Sequence, residues 1–280
     1  MKKFYGVLLL PLFLLVSCGG GPKEKLYRAE VMPTTIETEA KSVTTETTQK
    51  EVLVSDIKAS EYQKILPFYF EKLNKFKSYK SVTKGKTSAQ VLFINTDQSI
   101  EVTTIKGDYS YMINESHSSF VNTSHTVYFH DGKALFKDND AKEYSLSSLN
   151  EYLKIYGVYP FENTIEGYLS GEGCILSIEK VESENDYKFK ISFSPDLATN
   201  NVKIQMQKFG GLDDYPVFSE ISLILTLKND FTPVSIDLDS KYKAKKTFET
   251  SCHQQYTVTF SDFDAEIEIP NLSDVKSKFN

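Results

Sequence analysis

The sequence predicts an α+β domain, an antiparallel β-sheet with accompanying helices, carried behind an exported leader. Three observations point there. Apolar residues alternate with polar ones over most of the second half, with turn residues every ten or so positions, which is the pattern of strands wet on one face. One amphipathic helix precedes the strands. A basic and then apolar run opens the chain.

That run has Lys2 and Lys3 followed by Phe4 through Val16, then Ser17-Cys18-Gly19. Basic end, apolar core and small residues at a cleavage point make a secretory signal peptide, residues 1–17. About 13 apolar residues fall short of the roughly 20 needed to span a bilayer, and Pro11 interrupts them. Leu15-Val16-Ser17-Cys18 resembles the bacterial lipobox. That resemblance implies diacylglycerol on the Cys18 thiol and a protein lipid-anchored at the extracytoplasmic face of the cell membrane, since two or more acyl chains hold stably where one does not. The alternative is an ordinary signal peptide with a chance cysteine.

Residues 18–50 run through Gly19-Gly20-Gly21-Pro22 and a Thr- and Glu-rich stretch. With few large apolar groups to offset ordering entropy, this reads as a disordered tether. About 28 such residues reach roughly 30 Å as a flexible coil. Residues 51–280 make the folded domain. The whole chain carries a net charge of −6, falling to −8 once Lys2 and Lys3 are removed. A nucleic-acid partner would ask for a clustered basic patch instead.

In that domain Ser60-Glu61-Tyr62-Gln63 has capping-box spacing, and Tyr62, Ile65, Leu66, Tyr69, Leu73 and Phe76 follow at helical spacing. Pro67 either kinks this helix or restarts it. Ile100 to Ile105 and Tyr109 to Ile113 then alternate about Lys106-Gly107-Asp108. Asp131-Gly132 between Thr126–His130 and Lys133–Lys137 is a strong hairpin signal. Ser148-Leu149-Asn150-Glu151 caps a short second helix ended by Gly157. Alternation resumes at Cys174–Ile178, Tyr187–Phe193, Val202–Met206, Ile221–Leu227, Val234–Leu238, Tyr256–Phe260 and Glu266–Ile269, the last stopped by Pro270.

Catalytic and metal motifs are missing. His117, His125, His130 and His253 fall at strand ends and read as surface polar residues, without the spacing of a zinc site. Asp138-Asn139-Asp140 lacks the glycine and distal glutamate of a calcium loop. Gly-x-Ser-x-Gly and the phosphate-binding glycine motifs do not occur. No enzyme, metal or cofactor is expected. Cys174 and Cys252 sit in strand patterns. They are either small buried hydrophobes or, in an oxidising compartment, a cross-sheet disulfide.

Ile105-Lys106-Gly107-Asp108-Tyr109, Tyr128-Phe129-His130-Asp131-Gly132-Lys133 and the Phe260–Pro270 stretch resemble the LolA-like half-barrel group of lipoprotein carriers and lipid-binding lipoproteins. The resemblance spans about Ser60 to Asn271. It implies a strongly curved sheet whose concave face is apolar and covered by helices, with an acyl-chain or acylated-protein site between. The carriers of that group are soluble, whereas this chain carries its own lipid signal. Candidate lining residues are Tyr62, Leu66, Tyr69 and Leu73 on the helix, with Leu223, Leu225, Val258 and Phe260 on the sheet. Two functions follow: a tethered protein that binds an apolar ligand, or a surface interaction module with a solid core.

Overall fold

A computed structural model describes residues 52–91, 94–118, 122–138, 141–156, 165, 169, 173–197, 203, 206, 213–245 and 249–279. The leader, Cys18 and the tether lie outside them.

Eleven antiparallel strands form one sheet: β1 Tyr79–Val91, β2 Ile94–Lys106, β3 Ser110–Ser118, β4 Asn122–His130, β5 Lys133–Asp138, β6 Ser145–Ser148, β7 Ile175–Val181, β8 Tyr187–Phe193, β9 Val217–Leu227, β10 Pro233–Lys245 and β11 Glu249–Ser261. The spatial order is β6-β5-β4-β3-β2-β1-β11-β10-β9-β8-β7. Two meanders are thus joined back to back, and pairing of β1 with β11 from Lys80↔Ser261 to Gln90↔Ser251 is the seam. Five strands lie on either side of β1. The sheet is open and curved with few helices, the α+β half-barrel class that the sequence predicts.

Helix α1 spans Ile65–Lys75, after a 3-10 turn at Ala59–Lys64. Pro67 falls in its first turn, where backbone N–H groups have no intrahelical partner, so it starts the helix and does not kink it. The Ser60 capping box does not form; Glu61 instead pairs with Lys64. Helix α2, Leu149–Tyr156, does carry its box: Ser148 Oγ accepts from the Glu151 N–H at 3.2 Å, and Glu151 Oε2 accepts from the Ser148 N–H at 3.2 Å. Asp131 (φ 47°) and Gly132 (φ 69°) make the two-residue hairpin between β4 and β5, both in the left-handed region that a type I′ turn requires.

Register defines two faces. Tyr79, Ser81, Thr83, Gly85, Thr87 and Ala89 of β1 lie on the face that carries both helices. Helix α1 packs there over β8 to β11, and α2 over Val127, Phe129 and Ala134. The opposite face is polar over β1, β10 and β11. Over β3 to β5 it is apolar, and there Ile105, Tyr111, Tyr128 and Leu135 pack against the C-terminal helix α3, Leu272–Val275, and Phe279.

Three further expectations change. Glu266–Ile269 is not a strand; it joins no ladder, its Ile269 carbonyl accepts from the Leu272 N–H at 3.3 Å, and Ile267 and Ile269 pack on the Tyr128 cluster of the opposite face. The alternation at Val202 and Ile204 lies outside the described residues, and Met206 is helical and packs into the α1 core. The Cys174–Cys252 disulfide is not formed. Both thiols are free and buried, and β8, β9 and β10 stand between β11, which bears Cys252, and β7, which Cys174 directly precedes. A disulfide needs Cα atoms within about 7 Å. Burial also pushes the Cys252 thiol up to about 11, against a small opposing effect of Tyr242. Intact mass of residues 18–280 bearing Cys18→Ser should therefore show two added alkyl groups in denatured, unreduced protein and slow uptake in the native one. Absence of uptake after denaturation would restore the disulfide.

Candidate functional site

The central strand has an unusual face. Between Tyr79 and Val91, the helix-side positions of β1 are Ser81, Thr83, Gly85, Thr87 and Ala89, none larger than threonine. Its neighbours are larger. On the β11 side, Thr83 faces Val258 and Gly85 faces Tyr256. On the β2 side, Thr83 faces Val102 and Gly85 faces Ile100. Small residues between larger ones make a furrow in the side-chain layer at Ser81 and Thr83, while at Gly85 the neighbouring Tyr256 crowds in from β11. Ile100, Val102, Met112 and Tyr256 beside it are only half-buried. At Gly85 the two backbones approach so closely that a Cβ would lie 2.2 Å from Tyr256 Cβ and 2.6 Å from the Gln255 carbonyl oxygen. Only glycine fits there.

The eight lining candidates are brought together, but as a packed core. Leu66, Tyr69 and Leu73 of α1 share one cluster with Leu223, Leu225 and Val258, and Tyr69 and Leu225 are wholly inaccessible. Tyr62 and Phe260 sit at its margin; the Tyr62 ring meets Phe189 edge-on at 5.3 Å. Helix α1 is pinned over one end of the sheet. The Phe68 ring meets that of Phe231 in the β9–β10 turn, tilted, at 5.0 Å, Lys72 pairs with Asp230 at 2.9 Å, and Phe76 meets Phe263 at 4.3 Å. The Lys72 pairing and the Thr232 hydrogen bonds hold the Asp230 carboxyl below its ordinary value, outweighing the opposing desolvation, which is the largest single influence. The cluster runs past the small residues of β1, taking in Val258 and Tyr256 beside them and Ala89, Cys252 and Tyr242 beyond.

At the other flank is a buried polar cluster that the spacing of the histidines does not reveal. His125 is 6% exposed, not a surface residue. Its Nδ1 lies 2.7 Å from Asp138 Oδ1 and its Nε2 lies 2.9 Å from the Tyr152 hydroxyl, while the Tyr156 hydroxyl donates to Asp138 Oδ2 at 3.3 Å. Burial first, then Asp138, raises the Tyr152 phenol well above its usual value. Both ring nitrogens are engaged and the Tyr156 ring lies 4.5 Å away, so the cluster fastens α2 to β4 and β5. Only the Cys–His–Asp/Glu composition of a metal site could have flagged it, and no group of three or more such residues able to hold a metal occurs among the described residues.

The opposite face carries an open depression of about 640 Å³ over β8 to β11 and β1. Its charged side chains are largely engaged: Lys241 pairs with Glu220 at 2.8 Å, and Asp239 lies 3.0 Å from His253 Nε2.

No family model matches this chain, and no curated protein matches it. Among solved structures it is similar to a LolA superfamily protein from Nitrosomonas europaea, at 11% identity over 77% of this chain and 97% of that one, TM-score 0.28. A DUF1329 family protein from Desulfovibrio piger is similar at 11% identity over 78% and 97%, TM-score 0.27. The ywiB protein from Bacillus subtilis is similar at 8% identity over 68% and 98%, TM-score 0.22. Likenesses this distant transfer neither ligand nor activity, and the fold class rests on the sheet itself.

Proposed function

We propose that this chain is an envelope lipoprotein, held through acyl groups on Cys18, whose domain binds an apolar ligand or acyl chain along the central furrow. The observation behind the site is the run of small residues on β1 between the half-buried Ile100, Val102 and Tyr256. A strand at the centre of a sheet ordinarily carries its largest side chains on the covered face, because burial there is most complete. Here the side chains are smallest at the centre, beside helix α1, which covers one end of this face. An elongated apolar molecule of one or two chains suits that shape, since shallow apolar grooves with few polar groups recognise by area.

The test uses residues 18–280 with Cys18→Ser, purified without detergent. Native mass spectrometry is expected to show co-purified lipid, and a neutral fluorescent naphthylamine is expected to bind saturably and be displaced by lauroyl compounds. Ligand-free protein that ignores the probe would overturn the reading. For the anchor, Cys18→Ala in cells should shift the protein out of the detergent phase on phase partitioning; unchanged partitioning would return the leader to the ordinary kind.

The second reading, an interaction module, has one observation in its favour. Leu176, Leu197, Tyr215 and Val217 are 64%, 52%, 53% and 65% exposed. Val217 begins β9, whereas the chain enters the domain at the other end of that strand, where the Val54 N–H bonds to the Asn229 carbonyl at 2.7 Å. Val217 therefore sits roughly 33 Å along β9 from the end where Val54 is bonded, at about 3.3 Å per strand residue.

A further inference from the structure

The two edges of the sheet are not alike. Strand β7, at one end, is blunted: a bulge interrupts its register between Ile175 and Ser177, Glu179 and Lys180 are exposed along it, and the turn Ala59–Lys64 lies beside it. Bulges, charges and covering segments are how soluble sheets keep an open edge from pairing with another chain. Strand β6, at the other end, has none of these. It reads Ser145-Leu146-Ser147-Ser148, without charge or proline, and pairs with β5 alone in continuous register. Ser145, Leu146 and Ser148 are exposed.

The Leu149 N–H bonds the Gly132 carbonyl at 2.8 Å, and hydrogen bonding alternates along an antiparallel ladder. Ser147 and Ser145 therefore turn their backbone groups to β5, and Leu146 and Ser148 turn theirs outward. Ser148 is already engaged, its N–H by Glu151 Oε2 at 3.2 Å and its carbonyl by the Ser147 hydroxyl at 3.1 Å. Among the described residues nothing meets the outward N–H and carbonyl of Leu146. Its side chain also ends an apolar row on the face opposite the helices. Ile105 stands opposite Tyr111, Tyr111 opposite Tyr128, Tyr128 opposite Leu135, and Leu135 opposite Leu146. The first four are buried in the cluster beneath α3 and Phe279, whereas Leu146 is 46% exposed.

We propose that β6 is a self-association edge, at which a second copy of this chain adds its own β6 antiparallel about a two-fold axis through Leu146. Ser145-Leu146-Ser147 reads the same in both directions, so an antiparallel copy presents an identical edge. The axis sets Leu146 against Leu146 of the copy and Ser145 against its Ser147, each on its own face of the sheet. At the axis each Leu146 N–H meets the other Leu146 carbonyl, which closes the open pair on both copies. The two apolar rows then join end to end, and no charge within β6 opposes another. Four residues a side fall far short of the roughly 20–30 of a stable interface. The dissociation constant is therefore expected near about 1 mM, a concentration that molecules tethered to one surface reach. That last step rests on the anchor reading; the contact itself does not.

The experiment uses residues 18–280 bearing Cys18→Ser, in which the remaining thiols, Cys174 and Cys252, are buried. Leu146→Cys and Leu176→Cys each add one thiol to one edge, and Leu176 is the more exposed position at 64%. Pairing about the axis brings the two Leu146 Cα atoms to about 5.5 Å, within reach of a two-carbon bismaleimide. At about 1 mM protein, Leu146→Cys is expected to cross-link into dimer about tenfold faster than Leu176→Cys, although random collision favours the latter. Sedimentation of the parent at that concentration should show dimer. Leu146→Pro, which removes the outward N–H and leaves the β5 ladder intact, should be monomeric at a nearly unchanged melting temperature. Leu146→Lys, which sets like charges across the axis, should be monomeric as well. Dimer that persists in both variants, or cross-linking no faster at Leu146 than at Leu176, would overturn the edge. A parent that stays monomeric at this concentration would overturn self-association altogether.

Discussion

Gly85→Val is expected to be the most damaging substitution in the sheet, lowering the unfolding free energy by about 4 kcal/mol or more. Three atoms crowd the space its Cβ would take: Tyr256 Cβ at 2.2 Å, the Gln255 carbonyl oxygen at 2.6 Å and Tyr256 Cα at 2.8 Å. Two of the three are backbone, so no side-chain rotation relieves the overlap. The position is also where β1 and β11 join the two meanders, so separating them there disturbs both halves. Gly132 supplies the contrast. It has φ +69° and nothing within 4 Å of an added Cβ, so alanine meets only the left-handed penalty of about 1 kcal/mol. Chemical denaturation of Gly85→Val, Gly85→Ala and Gly132→Ala decides. A Gly85→Ala variant no less stable than Gly132→Ala would mean the seam is not as tight as described.

The same glycine explains why the middle of the fold was the least legible part of the sequence. The outer strands declare themselves: Tyr187, Phe189, Ile191 and Phe193 alternate with polar partners, and Asp131-Gly132 fixes a hairpin without help from the rest of the chain. Strand β1 does not. Between Tyr79 and Val91 both faces are small or charged, because one face looks at solvent through Lys80, Lys84 and Lys86 while the other forms the floor of the furrow. Hydrophobic periodicity cannot detect a strand whose covered face is Ser, Thr, Gly and Ala; its partners on both sides make it one. Glu266–Ile269 errs the other way. Alternation there records that Ile267 and Ile269 turn toward the Tyr128 cluster, and burial of one face does not require a ladder of hydrogen bonds.

The site divides similarly. Helical spacing found Leu66, Tyr69 and Leu73 and strand spacing found Leu223, Leu225 and Val258, and the structure does gather them. Periodicity selects residues that face inward, which is what core residues and lining residues share. It cannot separate them. Cross-strand neighbours on the helix-bearing face were invisible for a different reason. Thr87, Gln98, Ser240 and Gln254 come from four strands, and only the register of three strand pairs aligns them. His125 likewise became a buried anchor because Tyr152, 27 residues on, returns over it.

Tyr69→Ala separates the core from the furrow directly. Tyr69 is wholly inaccessible, at the centre of the contact between α1 and the sheet, with the Phe70 ring 5.2 Å from its own. Truncating a buried aromatic residue to alanine costs about 3–5 kcal/mol, from lost transfer free energy and from the cavity left behind. An 11-residue helix has little stability of its own, so α1 should loosen with it, and the Lys72–Asp230 pair at its far end should be lost as well. Ile100→Ala, in the half-buried furrow wall, is expected to cost about 1 kcal/mol, because much of that side chain is already hydrated. Ligand uptake should show the reverse order. Ile100→Ala should weaken probe binding several-fold at nearly unchanged stability, whereas Tyr69→Ala should lower the denaturation midpoint and, where the fold persists, bind with little change. A Tyr69→Ala protein of near-native stability and altered affinity would move the ligand beneath α1, among the residues that periodicity first picked out, and would remove the furrow from the account.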